Sequence, residues 1–379
     1  MMRKMICFVL AAAALLMCHP AAVSALSEEE ISAPAAVLMD ARSGSVLYEK
    51  NAHEVRCCAS ITKVMTLTLV MEALDSGKIK MGDIVTASEH AASMGGSDIW
   101  LEPGERMTVD DMIKATVVAS ANDAAVALAE YICGSEDEFV KKMNEKASQL
   151  GMKETVFKNC NGLDEEGHVT SAYDVALMSR ELIKHKKILD YTGIWMDHLR
   201  GGKTQLVNTN KLLKTYSGIT GLKTGTTSQA GSCITATATR DGLSLIAVVL
   251  GSKSGKQRFR DAAQLLDYGF ANYAMYTPRT PDEAFTTVPV TGGMKDSVST
   301  TANINDIFLI KKGEESSITC RVQLPESISA PVKKGQKTGE IIYSDKNGEA
   351  GRYPITAAGN VEEISFGKIF MLLLRATTN

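Results

Sequence analysis

The chain has 379 residues, 45% of them apolar and 22% charged, with a formal net charge of −3. That length accommodates two or three domains with a sizeable core, and the composition excludes a disordered or fibrous chain. No Lys/Arg stripe accompanies the slightly acidic balance, which argues against a nucleic-acid partner.

The N-terminus differs from the rest. Arg3 and Lys4 precede an apolar run from Met5 to Cys18, and small residues follow at 22–25 (AVSA). Residues 1–25 are expected to be a secretory leader, because the run is short of the roughly 20 residues that span a bilayer. The remainder is expected to be exported from the cytoplasm. Six cysteines follow the leader: Cys57, Cys58, Cys133, Cys160, Cys233 and Cys320. An even count in an exported chain suits disulfides, but the six lie scattered in apolar segments without metal-type spacing and are read as buried free thiols.

Residues 34–50 alternate apolar and polar positions around a turn, as a β-hairpin does. From Ser60 to Leu74 the apolar period is helical and stops before Gly77. Residues 107–132 hold two helical patterns broken between Ser120 and Asp123. A further helix is expected over 171–187, capped by Ser171 with Asp174 three positions on. After Gly221 come strand patterns, LKTGTT, GSCITATATR and LSLIAVVLG, the last two joined by Asp241-Gly242, a hairpin signal. A helix over 256–273 ends the first domain, set at 26–276. Early and late strands around central helices predict an α/β domain with an antiparallel sheet. Prolines and charges mark a linker at 277–284, and short strands with glycine turns predict a small all-β domain over 285–360. The tail, 361–379, reads as a helix whose apolar run, Ile369 to Leu374, suits a membrane interface, with Lys368 and Arg375 reaching the headgroups. Such a helix could instead dock on the β domain of its own chain.

Ser60 and Lys63 stand three apart, so on a helix their side chains are adjacent. Such a pair is either solvated surface or a base beside a nucleophile, and Ser365 with Lys368 repeats the spacing. Two further motifs separate these cases: Ser120-Ala121-Asn122 at the helical break, and Lys223-Thr224-Gly225-Thr226 entering a strand. Lys337-Thr338-Gly339 repeats part of the latter in a charged turn. Each motif is common alone. The order Ser60, Ser120, Lys223 within one domain is not.

With these motifs the chain resembles the penicillin-binding proteins and serine β-lactamases. It is most similar to the low-molecular-weight serine-type D-alanyl-D-alanine carboxypeptidases, peptidase family S11. The likeness runs through ASITKVMT, LEPGERMTVDDMIKATVVASANDAAVALAE, GLDEEGHVTSAYDVALMSREL, NTNKLL, GITGLKTGTT and GSKSGKQRFRDA, and extends to GGMKDSV in the β domain. It implies a β-lactamase/transpeptidase-like fold with a helical subdomain and a membrane-associating C-terminal helix. It implies Ser60 as nucleophile, Lys63 as its neutral base and Ser120 as proton relay. Asn122, Lys223, Thr224, Gly225, Thr226 and Arg258 would bind substrate, with backbone N–H groups of Ser60 and Thr226 as the oxyanion hole. The implied substrate is a peptidoglycan stem peptide ending in D-Ala-D-Ala, with β-lactams as inhibitors and no metal or organic cofactor. Burial and the charge of Lys223 are both expected to lower the Lys63 pKa.

Some members carry histidine directly after Lys-Thr-Gly, where this chain has Thr226. A His168–Asp174 triad finds no Gly-x-Ser-x-Gly elbow, so His168 is read as a hydrogen-bonded loop residue. A β-lactamase would need a carboxylate to activate water, and Asp164, Glu165 and Glu166 are available in a loop. A transpeptidase or an endopeptidase would differ only in acceptor or in the bond cut. A catalytically silent wall-binding protein would have no need of an intact Ser60, Lys63 and Lys223.

Overall fold

The computed structural model describes residues 26–370, apart from Glu28, Asn305 and Asn347. The expected leader and the tail beyond residue 370 lie outside the described residues. The chain forms two compact units that divide between Asn272 and Tyr273.

In the first unit β1 (Ala35–Asp40) and β2 (Val46–Lys50) pair as the expected hairpin. Near its end β3 (Ile219–Thr227), β4 (Gly231–Arg240) and β5 (Leu243–Ser252) form an antiparallel meander. β5 also pairs with β1, which closes a five-stranded sheet in the order β2-β1-β5-β4-β3. Every residue of β1 is buried. The continuous apolar run Ala35–Met39, ahead of the buried Asp40, is what a position covered on both faces requires.

Helix α1 (Lys63–Asp75) is buried around most of its surface, so it is the central helix of the unit. Its Met65 and Met71 share a core with Val37 and Met39 of β1, with Ile246 and Val248 of β5, and with Val175 and Met178 of α4 (Ala172–Leu182). Ser171 caps α4 by accepting from the Asp174 N–H at 3.1 Å. That helix stops at Leu182, short of the expected 187, and a separate 3₁₀ turn covers Lys186–Ile188. Between α1 and α4 lie α2 (Val109–Lys114) and α3 (Asn122–Cys133). A further helix, Glu136–Gln149, is too polar to stand out in the sequence and buries only Phe139, Met143 and Ala147. The final helix of the unit is α5 (Gly255–Asn272).

The second unit holds a six-stranded sheet whose longest strands are Lys337–Asp345 and Gly348–Ala357. Tyr273–Tyr276, expected in the first domain, pairs with Phe308–Lys311 of this unit. Val361 and Glu363, expected in the tail helix, instead bridge to Val332 and Gly293. The reason is packing: Val361 completes an apolar cluster with Val290, Val298 and Val332, and helical backbone begins only at residue 366. No helix among the described residues is long and apolar enough to cross a membrane. The six cysteines are unbridged. Cys58, Cys160 and Cys233 are buried, whereas Cys57 and Cys133 are half-buried and Cys320 is exposed.

Candidate active site

Between Cys58 and α1 the chain makes a tight 3₁₀ turn, Ala59–Thr62, entered through Ala59 at φ 51°. Ser60 therefore lies in the turn before the α-helix and Lys63 is the first helical residue. In a 3₁₀ turn residues three apart eclipse each other. The Lys63 Nζ accordingly sits 3.0 Å from the Ser60 Oγ. Ser60 is half-buried, while Lys63 is wholly buried. The ammonium donates to Asn122 Oδ1 at 2.5 Å and to the Asn161 carbonyl at 2.6 Å. Burial holds its pKa down to about 7, and the thiol of Cys160 and the carboxylates of Asp98 and Asp123 oppose the fall. The expected contribution from Lys223 is not needed to explain this: loss of water around the amine is the main cause.

Helix α2 runs into a π-turn, Ala115–Ala119, which carries one more residue per turn than an α-helix. Ser120 then takes a left-handed conformation, φ 63° and ψ 27°, and α3 begins at Asn122. This is the break expected from the sequence, and it aims two side chains at the same cleft. Asn122 spans it, with Oδ1 on Lys63 and Nδ2 donating to the Gly95 carbonyl at 2.6 Å. The next residue, Asp123, accepts from the Ile99 and Leu101 N–H groups at 3.1 and 3.0 Å. These bonds fix the loop over 95–101 as one wall of the cleft.

The opposite wall is the edge strand β3. Lys223 is buried and donates to Ser120 Oγ at 2.7 Å and to the Thr224 carbonyl at 2.9 Å. Burial, then the charges of Lys63 and Arg258, hold its pKa well below that of an ordinary lysine. The Thr224 hydroxyl meets that of Thr209 at 2.6 Å. At Gly225 a Cβ would lie 2.7 Å from the Cys58 carbonyl oxygen and 3.0 Å from the Ser60 and Ile61 nitrogens. Only glycine lets the strand abut the serine turn so closely. Arg258, on α5, is buried and donates to the Gly225 carbonyl at 2.9 Å and to Thr226 Oγ1 at 2.8 Å. Its guanidinium thus braces β3 from behind, while Thr226 itself is exposed.

All nine residues singled out in the sequence therefore belong to one constellation. The sequence repeats do not. Lys337 pairs with Glu340, and Lys368 with Glu362, within the second unit. His168 and Asp174 do not pair either. The His168 Nε2 meets Thr62 Oγ1 at 2.8 Å and its Nδ1 accepts from the Lys158 N–H at 3.2 Å. Burial lowers its pKa to about 4, so it is a neutral internal bridge. Asp174 instead accepts from the Glu154 N–H and the Thr155 hydroxyl.

Sequence reasoning missed Asn161 and Gly162. The first supplies a carbonyl to Lys63. The second, at φ 87°, lies so close that a Cβ would come 2.0 Å from the Ala59 carbonyl oxygen and 2.9 Å from the Ser60 nitrogen. Asn-Gly is a visible turn signal, yet nothing local says which distant turn it supports.

The profile of a peptidase family described as D-alanyl-D-alanine carboxypeptidase matches residues 22–254, and that of the penicillin-binding protein 5 C-terminal domain matches residues 273–363. D-alanyl-D-alanine carboxypeptidase DacF of Bacillus subtilis is 46% identical over 345 residues, which are 90% of this chain and 88% of that relative. The structure of penicillin-binding protein 5 from Haemophilus influenzae is similar at a TM-score of 0.75 and 32% identity, covering 89% of this chain and 100% of that one. Penicillin-binding protein D2 of Listeria monocytogenes, solved with ampicillin bound, is similar at a TM-score of 0.57 and 34% identity. That match covers 64% of this chain and 100% of the other.

Proposed function

The chain belongs to the D-alanyl-D-alanine carboxypeptidase family, peptidase S11, and from that membership we propose how its residues divide the work. The protein is a serine-type carboxypeptidase of peptidoglycan metabolism. In the proposed cycle the Ser60 Oγ attacks the carbonyl of the penultimate D-alanine while Lys63, in its neutral form, takes the hydroxyl proton. The N–H groups of Ser60 and Thr226 receive the oxyanion, each worth about 3 kcal/mol. The C–N bond then breaks as Ser120 passes its proton to the departing D-alanine amine and regains one from the Lys63 ammonium, which leaves Lys63 neutral again and an ester on Ser60. Water enters with Lys63 as base and releases the shortened peptide. Lys223 and the Thr224 hydroxyl face the terminal carboxylate, Asn122 orients the peptide and Lys63, and Arg258 holds the Gly225–Thr226 edge in place. A β-lactam would acylate the same serine.

The observation that carries this assignment is the Lys63 Nζ, fully buried, 3.0 Å from the Ser60 Oγ and titrating near neutrality. Incubation with a peptide ending in D-Ala-D-Ala is expected to release free D-alanine, and mass mapping of a penicillin adduct to locate it on Ser60. An adduct on another residue, or cleavage elsewhere in the peptide, would overturn the assignment.

Two further elements of the proposal concern location. Residues 1–25 direct export, and the C-terminal segment rests on a membrane surface. Support for the second comes from residues 366–370, where Phe366 is 85% exposed and Phe370 51%, beside the cation of Lys368.

A further inference from the structure

A second recess in the first unit lies at the end of the sheet where β4 turns into β5. Its volume is about 460 Å³, within the range of small-ligand sites. Four cations line it, Arg42, Arg180, Lys184 and Lys186, and no carboxylate does. Hydroxyls come from three adjacent strands in two pairs, Thr220 donating to Thr237 at 2.7 Å and Thr239 meeting Ser244 at 2.8 Å. Along β3, Thr220 and Thr226 are separated by about 20 Å, so this recess is distinct from the serine cleft.

Two of the cations are what a binding site needs. Arg180, half-buried near the end of α4, donates to the Ala41 carbonyl at 3.0 Å and to the Arg42 carbonyl at 2.6 Å. These bonds fix the guanidinium plane, yet carbonyls do not neutralise it, and no carboxylate pairs with it among the described residues. Lys186 likewise has no acidic partner among them. Lys184, by contrast, is paired with Glu181 at 2.5 Å. A chain with a net charge of −3 has acids to spare, so a pocket that gathers cations and excludes carboxylates is a feature of charge placement. A pre-oriented arginine matches the oxygens of a phosphate bidentately, and lysine adds a point charge. The volume exceeds what a bare phosphate needs, and the Thr239–Ser244 pair, which uses one of its two O–H groups internally, keeps a donor for a polyol.

We propose that the recess lined by Arg180 and Lys186 binds the phosphate ester of a polyol. The site lies outside the hydrolytic machinery and its occupancy does not depend on the assignment of Ser60. Such a group reaches the protein either as a soluble ester or polymer end, or as the headgroup of a phospholipid.

Calorimetric titration of the full exported chain with glycerol 3-phosphate tests this, with glycerol as the neutral control. Saturable binding below about 10 mM, absent for glycerol and weakened about tenfold by Lys186→Gln, is the expected result. Arg180→Gln should weaken it further. Because Arg180 also ties down residues 41–42, Thr239→Val, at an exposed position of the lining, serves as a variant that leaves that tie intact and should cost about threefold. Flotation with phosphatidylglycerol vesicles distinguishes the sources: a Lys186-dependent shift identifies the lipid headgroup, and its absence with intact glycerol 3-phosphate binding identifies the soluble ester. Penicillin acylation of Lys186→Gln should match wild type. No binding of glycerol 3-phosphate, or equal binding by Lys186→Gln and Arg180→Gln, overturns the proposal.

Discussion

Replacing Ser60 with alanine is expected to abolish D-alanine release and penicillin labelling together, and Lys63→Met to slow acylation by about a thousandfold or more. The second substitution is the more informative. Methionine fills a similar volume at a position with no solvent exposure, so the helix start should survive. Asn122 Oδ1 and the Asn161 carbonyl lose a donor, at about 1–3 kcal/mol each, while removing a buried amine returns part of that. Acylation measured against thermal unfolding separates the two effects: near-normal melting with a lost reaction is the result expected.

The pH dependence has a definite sign. Lys63 serves as base only when neutral, and its pKa is held down to about 7. Acylation by wild type should therefore fall tenfold per unit below about pH 7 and level off above it. Stability follows the same group. From the folded value near 7 to the ordinary lysine value of 10.5, the unfolded chain holds a proton that the folded chain does not. Stability consequently rises with pH across that window, by up to about 5 kcal/mol from this amine, and Lys223 acts in the same direction. Lys63→Met should show a shallower rise. An acylation rate flat from pH 5 to 9, or an unaltered stability slope in the variant, would contradict the assignment of Lys63.

Gly162→Ala is expected to be nearly as damaging although it touches no substrate. Its φ of 87° is strained for any residue with a side chain, at about 1–3 kcal/mol, and the added methyl would stand 2.0 Å from the Ala59 carbonyl oxygen. That contact cannot be relieved by a rotamer change, because the obstacle is backbone. Either the serine turn shifts or the 161–162 loop retreats and takes its carbonyl from Lys63. A displacement of about 1 Å at a nucleophile costs on the order of a hundredfold in rate. The acylation rate constant should fall by at least that factor, with a lower melting temperature. Wild-type acylation in Gly162→Ala would show that the loop does not position the nucleophile.

The contrast between Lys63 and Gly162 marks where sequence stops being informative. Ser60, Lys63, Ser120 and Lys223 are legible because short spacing and local breaks carry them: a residue three along, a helix interrupted, a strand entered. The sheet was partly legible for the same reason, since Asp241-Gly242 announces its hairpin, whereas β1 reads as alternating and is in fact buried at every position, Asp40 included. Asn161, Asp98 and Asp123 join the surroundings of Lys63 only from remote segments, and no local period encodes that. The cause of the lowered Lys63 pKa was half legible. Burial could be inferred from its apolar neighbours, but the carboxylates that moderate it come from a loop and from α3. The same limit explains the tail, where Val361 reads as helix by composition and is drawn into the β core by an apolar cluster that only the fold assembles.

The π-turn at Ala115–Ala119 makes the spacing of this wall a matter of length rather than side-chain identity. Each residue of a regular helix advances the chain by about 100° and 1.5 Å. A one-codon deletion there would relax the segment to ordinary α-helix and rotate the hydroxyl of Ser120 by roughly a quarter of a circle, away from the amine it meets at 2.7 Å. A substitution within the same five positions, by contrast, would change packing at buried sites and cost stability while leaving the residue count, and so the direction of Ser120, intact.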